Sequence, residues 1–246
     1  MKKLVVILSV SLFGISFGVA QSCLETVQAN GIRVGTSPDY PPFESLDENN
    51  NIVGFDVDLM NLIGEDLGVE VEIVGQSFDG LIPALLAKQI DVIAAGLTIT
   101  EERKEAVDFS TPYISGPNVV VTRTDTADIS GLENLVGKSV AVQIGSAQEA
   151  IANSVEGAEV KSYNLFTDAA LAVQTRQADA MILHRSVGQV FAEQYPDLQI
   201  VAELDSVETG LAFNKDCPDL TEAVNGSLVK LEENGQMQEL VAKWFK

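Results

Sequence analysis

The run Asp91-Val92-Ile93-Ala94-Ala95-Gly96-Leu97-Thr98-Ile99-Thr100-Glu101-Glu102-Arg103-Lys104-Glu105-Ala106-Val107-Asp108-Phe109-Ser110 decides the architecture. Residues 91–95 read as a short buried strand, Gly96 ends it, and a helix starts after Thr100. Thr100 is a natural N-cap, and Glu101 and Glu102 suit the positive end of a helix dipole. Arg103 does not suit it, because a cation in the first turn costs roughly 0.3–1 kcal/mol against that dipole. Its position therefore asks for another reason. A strand end, a glycine, a helix N-terminus and a guanidinium together make a site for a carboxylate.

Upstream and downstream of this run, strands and helices alternate. Strands are predicted over 32–35, 71–74, 119–122, 139–143, 160–163, 180–183, 199–202 and 210–213. Helices are predicted over 56–67, 80–87, 147–153, 167–175, 187–194, 219–233 and 237–245, with Pro83 tolerable in a first turn and Gly235 separating the last two. This is the βαβ rhythm of a mostly parallel α/β protein, and the rhythm restarts once. Two such units, the second inserted into the first, leave a cleft where strand ends face each other.

Met1-Lys2-Lys3, an apolar stretch over 4–17 and a small-residue exit at Gly18-Val19-Ala20 read as a secretory signal peptide, residues 1–20. The residues before Cys23, Ala20-Gln21-Ser22, fit a lipid-attachment signal poorly. The chain carries a formal charge of −21, and without Lys2 and Lys3 its 13 basic against 36 acidic residues give −23. That charge repels a phosphate backbone and no basic patch offsets it, so nucleic acid is excluded as a partner. The cysteines number two, Cys23 and Cys217. Export favours their pairing, and two are too few for a structural zinc site; the residues alone leave free thiols open.

No standard catalytic constellation is present. Gly14-Ile15-Ser16-Phe17-Gly18 copies a nucleophile elbow but lies in the leader. Gly137-Lys138-Ser139 lacks the first glycine of a phosphate loop, since Leu132 occupies its place. His184 is the one histidine, no metal-ligand spacing occurs, and no cofactor is implied. Pro38-Asp39-Tyr40-Pro41-Pro42-Phe43-Glu44 is a stiff loop after the first strand, offering an aromatic face and two carboxylates. Phe78 follows another strand end.

Gly54-Phe55-Asp56-Val57-Asp58-Leu59, with Ile63-Gly64 and Leu67, resembles a signature of the bacterial extracellular solute-binding proteins that feed polar amino acids to ABC transporters. The similarity extends through Phe78-Asp79-Gly80-Leu81-Ile82-Pro83, Thr98-Ile99-Thr100-Glu101-Glu102-Arg103, Val107-Asp108-Phe109-Ser110 and Val142-Gln143-Ile144-Gly145-Ser146 to Lys243-Trp244-Phe245. The resemblance implies an α/β fold of two lobes joined by two hinge strands, the type II periplasmic-binding-protein fold. Lobe one would comprise 23–115 plus 207–246, and lobe two 116–206. It implies periplasmic capture of a polar amino acid or related small carboxylate by lobe closure, and an inner-membrane ABC permease as partner. It also implies a Cys23–Cys217 disulfide at the far end of lobe one.

Residue by residue, the resemblance puts the ligand carboxylate on Arg103, with Thr98 and the turn Gly145-Ser146-Ala147-Gln148 assisting. Tyr40 and Phe78 would be aromatic walls, Gly96 would offer its carbonyl to an ammonium, and Gln143 and Gln148 would line lobe two. Ser37 and Glu44 lie where side-chain selectivity is set in relatives, with Glu44 the better partner for a basic group. One departure stands out: relatives carry an aspartate for the α-ammonium where this chain has His184. Either Glu44, Glu208 or a slightly shifted pose supplies the missing acid, or the ligand lacks a free α-ammonium. Two other functions fit the same scaffold, a ligand sensor and a cyclohexadienyl-dehydratase-like enzyme. The enzyme's catalytic carboxylate would fall at Val187, which argues against it.

Overall fold

Gly54 shows why this chain tolerates little variation at the entry to its longest early helix. Its φ is +148°, and a Cβ there would lie 2.1 Å from the Phe43 carbonyl oxygen, so glycine alone fits. The helix that follows buries Phe55, Leu59, Met60 and Ile63 completely. Each contributes about 1.5–3 kcal/mol by leaving water.

The structure is a computed structural model describing residues 22–245; the expected signal peptide lies outside the described residues. The first unit begins with α1 (Cys23–Asn30) and β1 (Ile32–Thr36). A small antiparallel ribbon follows, β2 (Asp39–Tyr40), β3 (Glu44–Leu46) and β4 (Ile52–Val53), and then α2 (Phe55–Leu67) and β5 (Val71–Gly75). A 3₁₀ turn at Phe78–Gly80 opens α3 (Leu81–Leu86), which leads to β6 (Val92–Ile93), α4 (Glu101–Ala106) and β7 (Asp108–Phe109). The chain then crosses over along β8 (Ile114–Arg123). The second unit holds β9 (Ser139–Gln143), α5 (Ala147–Asn153), β10 (Glu159–Tyr163), α6 (Phe166–Gln174), β11 (Ala180–His184) and α7 (Arg185–Gln194). It returns along β12 (Leu198–Thr209) to β13 (Ala212–Phe213), α8 (Pro218–Glu233) and α9 (Gln236–Trp244).

Each unit is built on a five-stranded sheet, ordered β5-β1-β6-β13-β7 and β10-β9-β11-β8-β12. In both, the first three strands run parallel and the remaining pairings are antiparallel. The two units are thus two copies of one plan, as the restarted rhythm implied. β8 and β12 pair along their length and carry the chain between the units. The expected lobe limits, 115/116 and 206/207, fall on this ladder, where Gly116 faces Val207 and Pro117 faces Ser206. Register irregularities between Ile200 and Ala202 and between Glu203 and Ser206 interrupt it, which is how such a ladder bends.

Cys23 and Cys217 are disulfide-bonded, with a Cα–Cα distance of 5.3 Å and a sequence separation of 194. The bond ties the start of α1 to the residue preceding α8. Among the described residues, no helix is long and apolar enough to cross a membrane, and no group of three His, Cys, Asp or Glu side chains is placed to hold a metal ion.

Candidate functional site

Arg103 is the third residue of α4, and its amide donates to the capping Thr100 hydroxyl at 3.2 Å. The capped turn aims the guanidinium into the space between the units, where it is only 9% exposed. Nη1 donates to the Thr98 carbonyl at 2.7 Å, and Nη2 crosses to the Gly145 carbonyl of the second unit at 3.0 Å. The Phe78 ring lies 5.5 Å beneath the guanidinium. Burial without a carboxylate partner pushes the Arg103 pKa down to about 10, only partly offset by Glu102. A guanidinium has five N–H donors, so several remain for a ligand.

Opposite Arg103 stands the N-terminus of α5. Ser146 is its N-cap and accepts from the Glu149 amide at 3.1 Å, while the Gly145 amide donates to the Glu149 carboxylate at 2.7 Å. The Ala147 and Gln148 amides at the first positions find no acceptor among the described residues. Free amides at a helix start favour an anion. Arg103, Thr98, Phe78, Gly145 and the start of α5 therefore converge on one place suited to a carboxylate. The Gln148 side chain is otherwise engaged, donating to Asn118 at 2.8 Å.

The aromatic side of the cleft is built by the proline-stiffened loop. Gly96 has φ +53°, and a Cβ there would lie 3.0 Å from the Tyr40 ring, so glycine lets Tyr40 lie flat against the strand end. Tyr40 stacks on Phe166 of the second unit with ring centroids 4.5 Å apart, and its hydroxyl accepts the His184 amide at 2.9 Å. Burial raises the pKa of that hydroxyl, so it stays protonated at neutral pH.

Two predicted residues sit differently from their sequence-based roles. Glu44 is completely buried, faces Tyr40 across the ribbon, and lies beside Asp56 rather than at the unit boundary. No donor reaches either Glu44 oxygen. Burial and the nearby Asp56 charge push its pKa well up, so Glu44 holds a proton, which supplies the missing donor between the two carboxyls. Asp56 takes the Gly96 amide at 2.7 Å and the Tyr113 hydroxyl at 2.9 Å, and burial raises it to about 7. The His184 imidazole lies at the hinge: Nδ1 is 2.8 Å from the Ser186 hydroxyl, the ring meets Phe43 edge-on, and Nε2 faces Gly116. Burial lowers its pKa to about 4, leaving it neutral at pH 7. Glu208 is exposed and lines a hollow together with Lys104 and Lys215.

Asp39 was visible in the sequence as one of two loop carboxylates but was given no role. It is 7% exposed and meets the second unit directly, accepting the Phe166 amide at 2.5 Å and Gln143 Nε2 at 3.3 Å. Ser37 donates to it at 3.2 Å. Burial raises Asp39 to about 6 despite these donors. The available signal was position: it precedes Tyr40 in a loop expected to face the cleft.

A model of the bacterial extracellular solute-binding proteins, family 3, matches residues 32–246. The chain belongs to this family. This solute-binding protein is 36% identical over 219 residues to the arginine-binding extracellular protein ArtP of Bacillus subtilis (strain 168), covering 86% of this chain and 85% of that protein. It resembles the solved structure of holo ArgBP from T. maritima at a TM-score of 0.83 and 44% identity, covering 90% of this chain and 99% of that one. It also resembles the ancestral amino acid-binding protein AncCDT-1, a precursor of cyclohexadienyl dehydratase, at a TM-score of 0.87 and 35% identity, covering 92% and 100%. The solute-binding protein is thus the ligand-capturing component of an amino-acid ABC importer rather than an enzyme, and it works outside the cytoplasm.

Proposed function

We propose that this solute-binding protein captures a cationic α-amino acid, with L-arginine the first candidate, in the periplasm and delivers it to an inner-membrane ABC permease. The observation that carries the reading is the charge count of the closed cleft. Among the described residues, the buried acids are Asp39, Glu44 and Asp56, and Arg103 is the one buried arginine or lysine. With the proton on Glu44, Asp39 and Asp56 supply up to two negative charges as pH rises above 7, against one guanidinium. A zwitterionic ligand leaves one negative charge unmatched, whereas a ligand with an extra cationic group leaves none. Unpaired buried charge is expensive, so the cleft favours the second.

In this reading the ligand carboxylate lies on Arg103 and the α5 amides. Its α-ammonium faces the Gly96 carbonyl, over the negative charge of Asp56. Tyr40 and Phe78 are the aromatic walls, and Ser37, Gln143 and Gln148 frame the side chain. The neutral His184 at the hinge does not repel an ammonium, so an unmodified amino acid is favoured over one lacking a free α-ammonium. The arginine-binding names of ArtP and ArgBP agree with the charge argument. Export would use the leader over 1–20.

A thermal-shift panel of L-arginine, L-lysine, L-glutamine and Nα-acetyl-L-arginine tests this, because a true ligand raises the midpoint by mass action. Arginine should give the largest shift and the acetylated form a small one. An acetylated form that outperforms arginine overturns the proposed pose.

A further inference from the structure

α6 begins without a cap of its own. Its N-cap residue is Leu165, whose side chain has no acceptor, at a position where Ser, Thr, Asp or Asn is strongly preferred. The first helical amide, Phe166 N–H, is nevertheless satisfied, because the Asp39 carboxylate of the other lobe reaches it at 2.5 Å across 127 residues of sequence. The same carboxylate receives Gln143 Nε2, which also donates to the Asn164 carbonyl at 3.1 Å and so braces the turn ahead of α6. Ser37 fixes the Asp39 side chain from behind. The next residue, Tyr40, stacks on Phe166. Every one of these contacts except the Ser37 bond and the Gln143–Asn164 bond joins lobe one to lobe two.

We propose that Asp39 is a helix cap supplied in trans: it completes α6 only when the lobes are closed, and so positions and holds the closed state. Opening the lobes withdraws the carboxylate and leaves the Phe166 amide to water, while Leu165 offers no acceptor to the amides that follow it. Closure and the order of the first turn of α6 are then one event. Asp39 acts here as a positioning residue for capture, with no contact to the ligand required. The apolar N-cap makes the arrangement conditional; a serine at 165 would cap α6 whether the lobes were open or closed.

The test compares wild type with Asp39→Ala, Asp39→Asn and the double variant Asp39→Ala/Leu165→Ser. Amide exchange at Phe166 is read by NMR with and without L-arginine, and L-arginine affinity by calorimetry. Leu165 is 40% exposed, so the serine fits. Asp39→Ala should speed Phe166 exchange about 5-fold or more in whichever state the wild type protects it, as for a lost cap. It should also weaken arginine binding roughly 3- to 30-fold through a smaller closed population. Asp39→Asn keeps an acceptor and should stay within about 3-fold of wild type in exchange; having lost the charge alone, it should bind L-arginine less tightly than wild type but more tightly than the alanine variant, whose helix is also uncapped. In the double variant the serine introduced at position 165 can accept the Thr167 or Asp168 amide, so protection should rise at those two amides but not at Phe166, without affinity being regained.

Unchanged exchange in Asp39→Ala, or a wild-type Phe166 amide unprotected in both states, overturns the proposal. So does recovery of affinity in the double variant, which would confine Asp39 to lobe-two helix order. An asparagine variant as weak as alanine toward arginine would leave the charge of Asp39, and not its cap, as its part in capture, and so overturns the proposal. Only the affinity arm rests on the arginine reading. A wild type that ignores L-arginine refutes that reading alone, because exchange is also read without ligand.

Discussion

Replacing Arg103 with methionine separates what this side chain does for the ligand from what it costs the empty protein. The guanidinium makes two hydrogen bonds, to Thr98 and Gly145, and has no carboxylate partner among the described residues. Burial lowers its pKa to about 10 from the ordinary arginine range, a penalty of about 3 kcal/mol at 1.36 kcal/mol per unit. Two charge-assisted bonds return about 1.5–3 kcal/mol each, so the net contribution to stability is small. Methionine, of similar length, should leave the ligand-free midpoint within about 4 °C of wild type. The ligand-bound state is different. Removing one side of a buried, hydrogen-bonded charge pair costs about 3–5 kcal/mol, which is roughly 150- to 5,000-fold in affinity. Differential scanning fluorimetry and calorimetry on the same preparations measure both quantities. A variant that binds L-arginine within 10-fold of wild type would refute the carboxylate assignment. A ligand-free midpoint lowered by more than about 10 °C would refute the claim that Arg103 is nearly neutral for stability.

Three further outcomes follow from the buried groups and the disulfide. Asp56 is raised to about 7, Asp39 to about 6, and Glu44 upward by burial and Asp56; acids raised on folding stabilise the protein when protonated and lose that contribution as pH climbs through the folded value. The ligand-free midpoint should therefore rise as pH falls from 8 to 6.5; below that, His184, lowered to about 4, destabilises as its unfolded form protonates, and the rise should flatten. A midpoint that falls over the first interval contradicts the assignment of the acid cluster. Glu44→Gln removes an ionisation that the folded protein suppresses, so stability at pH 7.5 should hold or rise and the slope between pH 8 and 6.5 should lessen; a loss above about 2 kcal/mol by urea unfolding would mean that Glu44 is ionised and paired. Reducing the Cys23–Cys217 bond, which closes a separation of 194 residues, should cost about 2–4 kcal/mol and lower the midpoint by several degrees without abolishing ligand binding.

Much of the fold could be read along the chain because strands such as β9 and β11 are apolar runs and helices such as α2 and α6 carry an apolar stripe. β9 and α5 occupy the predicted limits, 139–143 and 147–153, and α2 differs by one residue at its start. The hinge was harder. β8 runs from Ile114 to Arg123, but Ser115, Gly116, Pro117 and Asn118 interrupt the apolar pattern, so only its buried half, 119–122, was visible. β12 was shortened for the same reason, its polar half being exposed and irregularly paired. The ribbon of β2, β3 and β4 carries no periodic signal because its strands are two or three residues long.

The site divides along the same line. Arg103 stood out in the sequence because it breaks a local electrostatic rule, and the structure buries it between the units; its role toward a ligand is our proposal. Asp39 did not stand out, because its meaning lies in an uncapped helix start 127 residues away. Leu165 at that start breaks a local rule too, and was the available clue. Glu44 is a different case. A carboxylate in a cleft-facing loop invites a ligand role, but the start of β3 is buried beside Asp56, where burial and then the Asp56 charge raise its pKa.

The central claim is that the closed cleft accepts one net positive charge and holds the ligand carboxylate on Arg103. Calorimetric titration with L-arginine and with L-citrulline, its neutral isostere, tests it most directly. The account predicts that arginine binds at least about 10-fold more tightly, the cost of about 1.4 kcal/mol or more for a buried charge left unmatched. Equal affinities for the two, or tighter binding of citrulline, would contradict it.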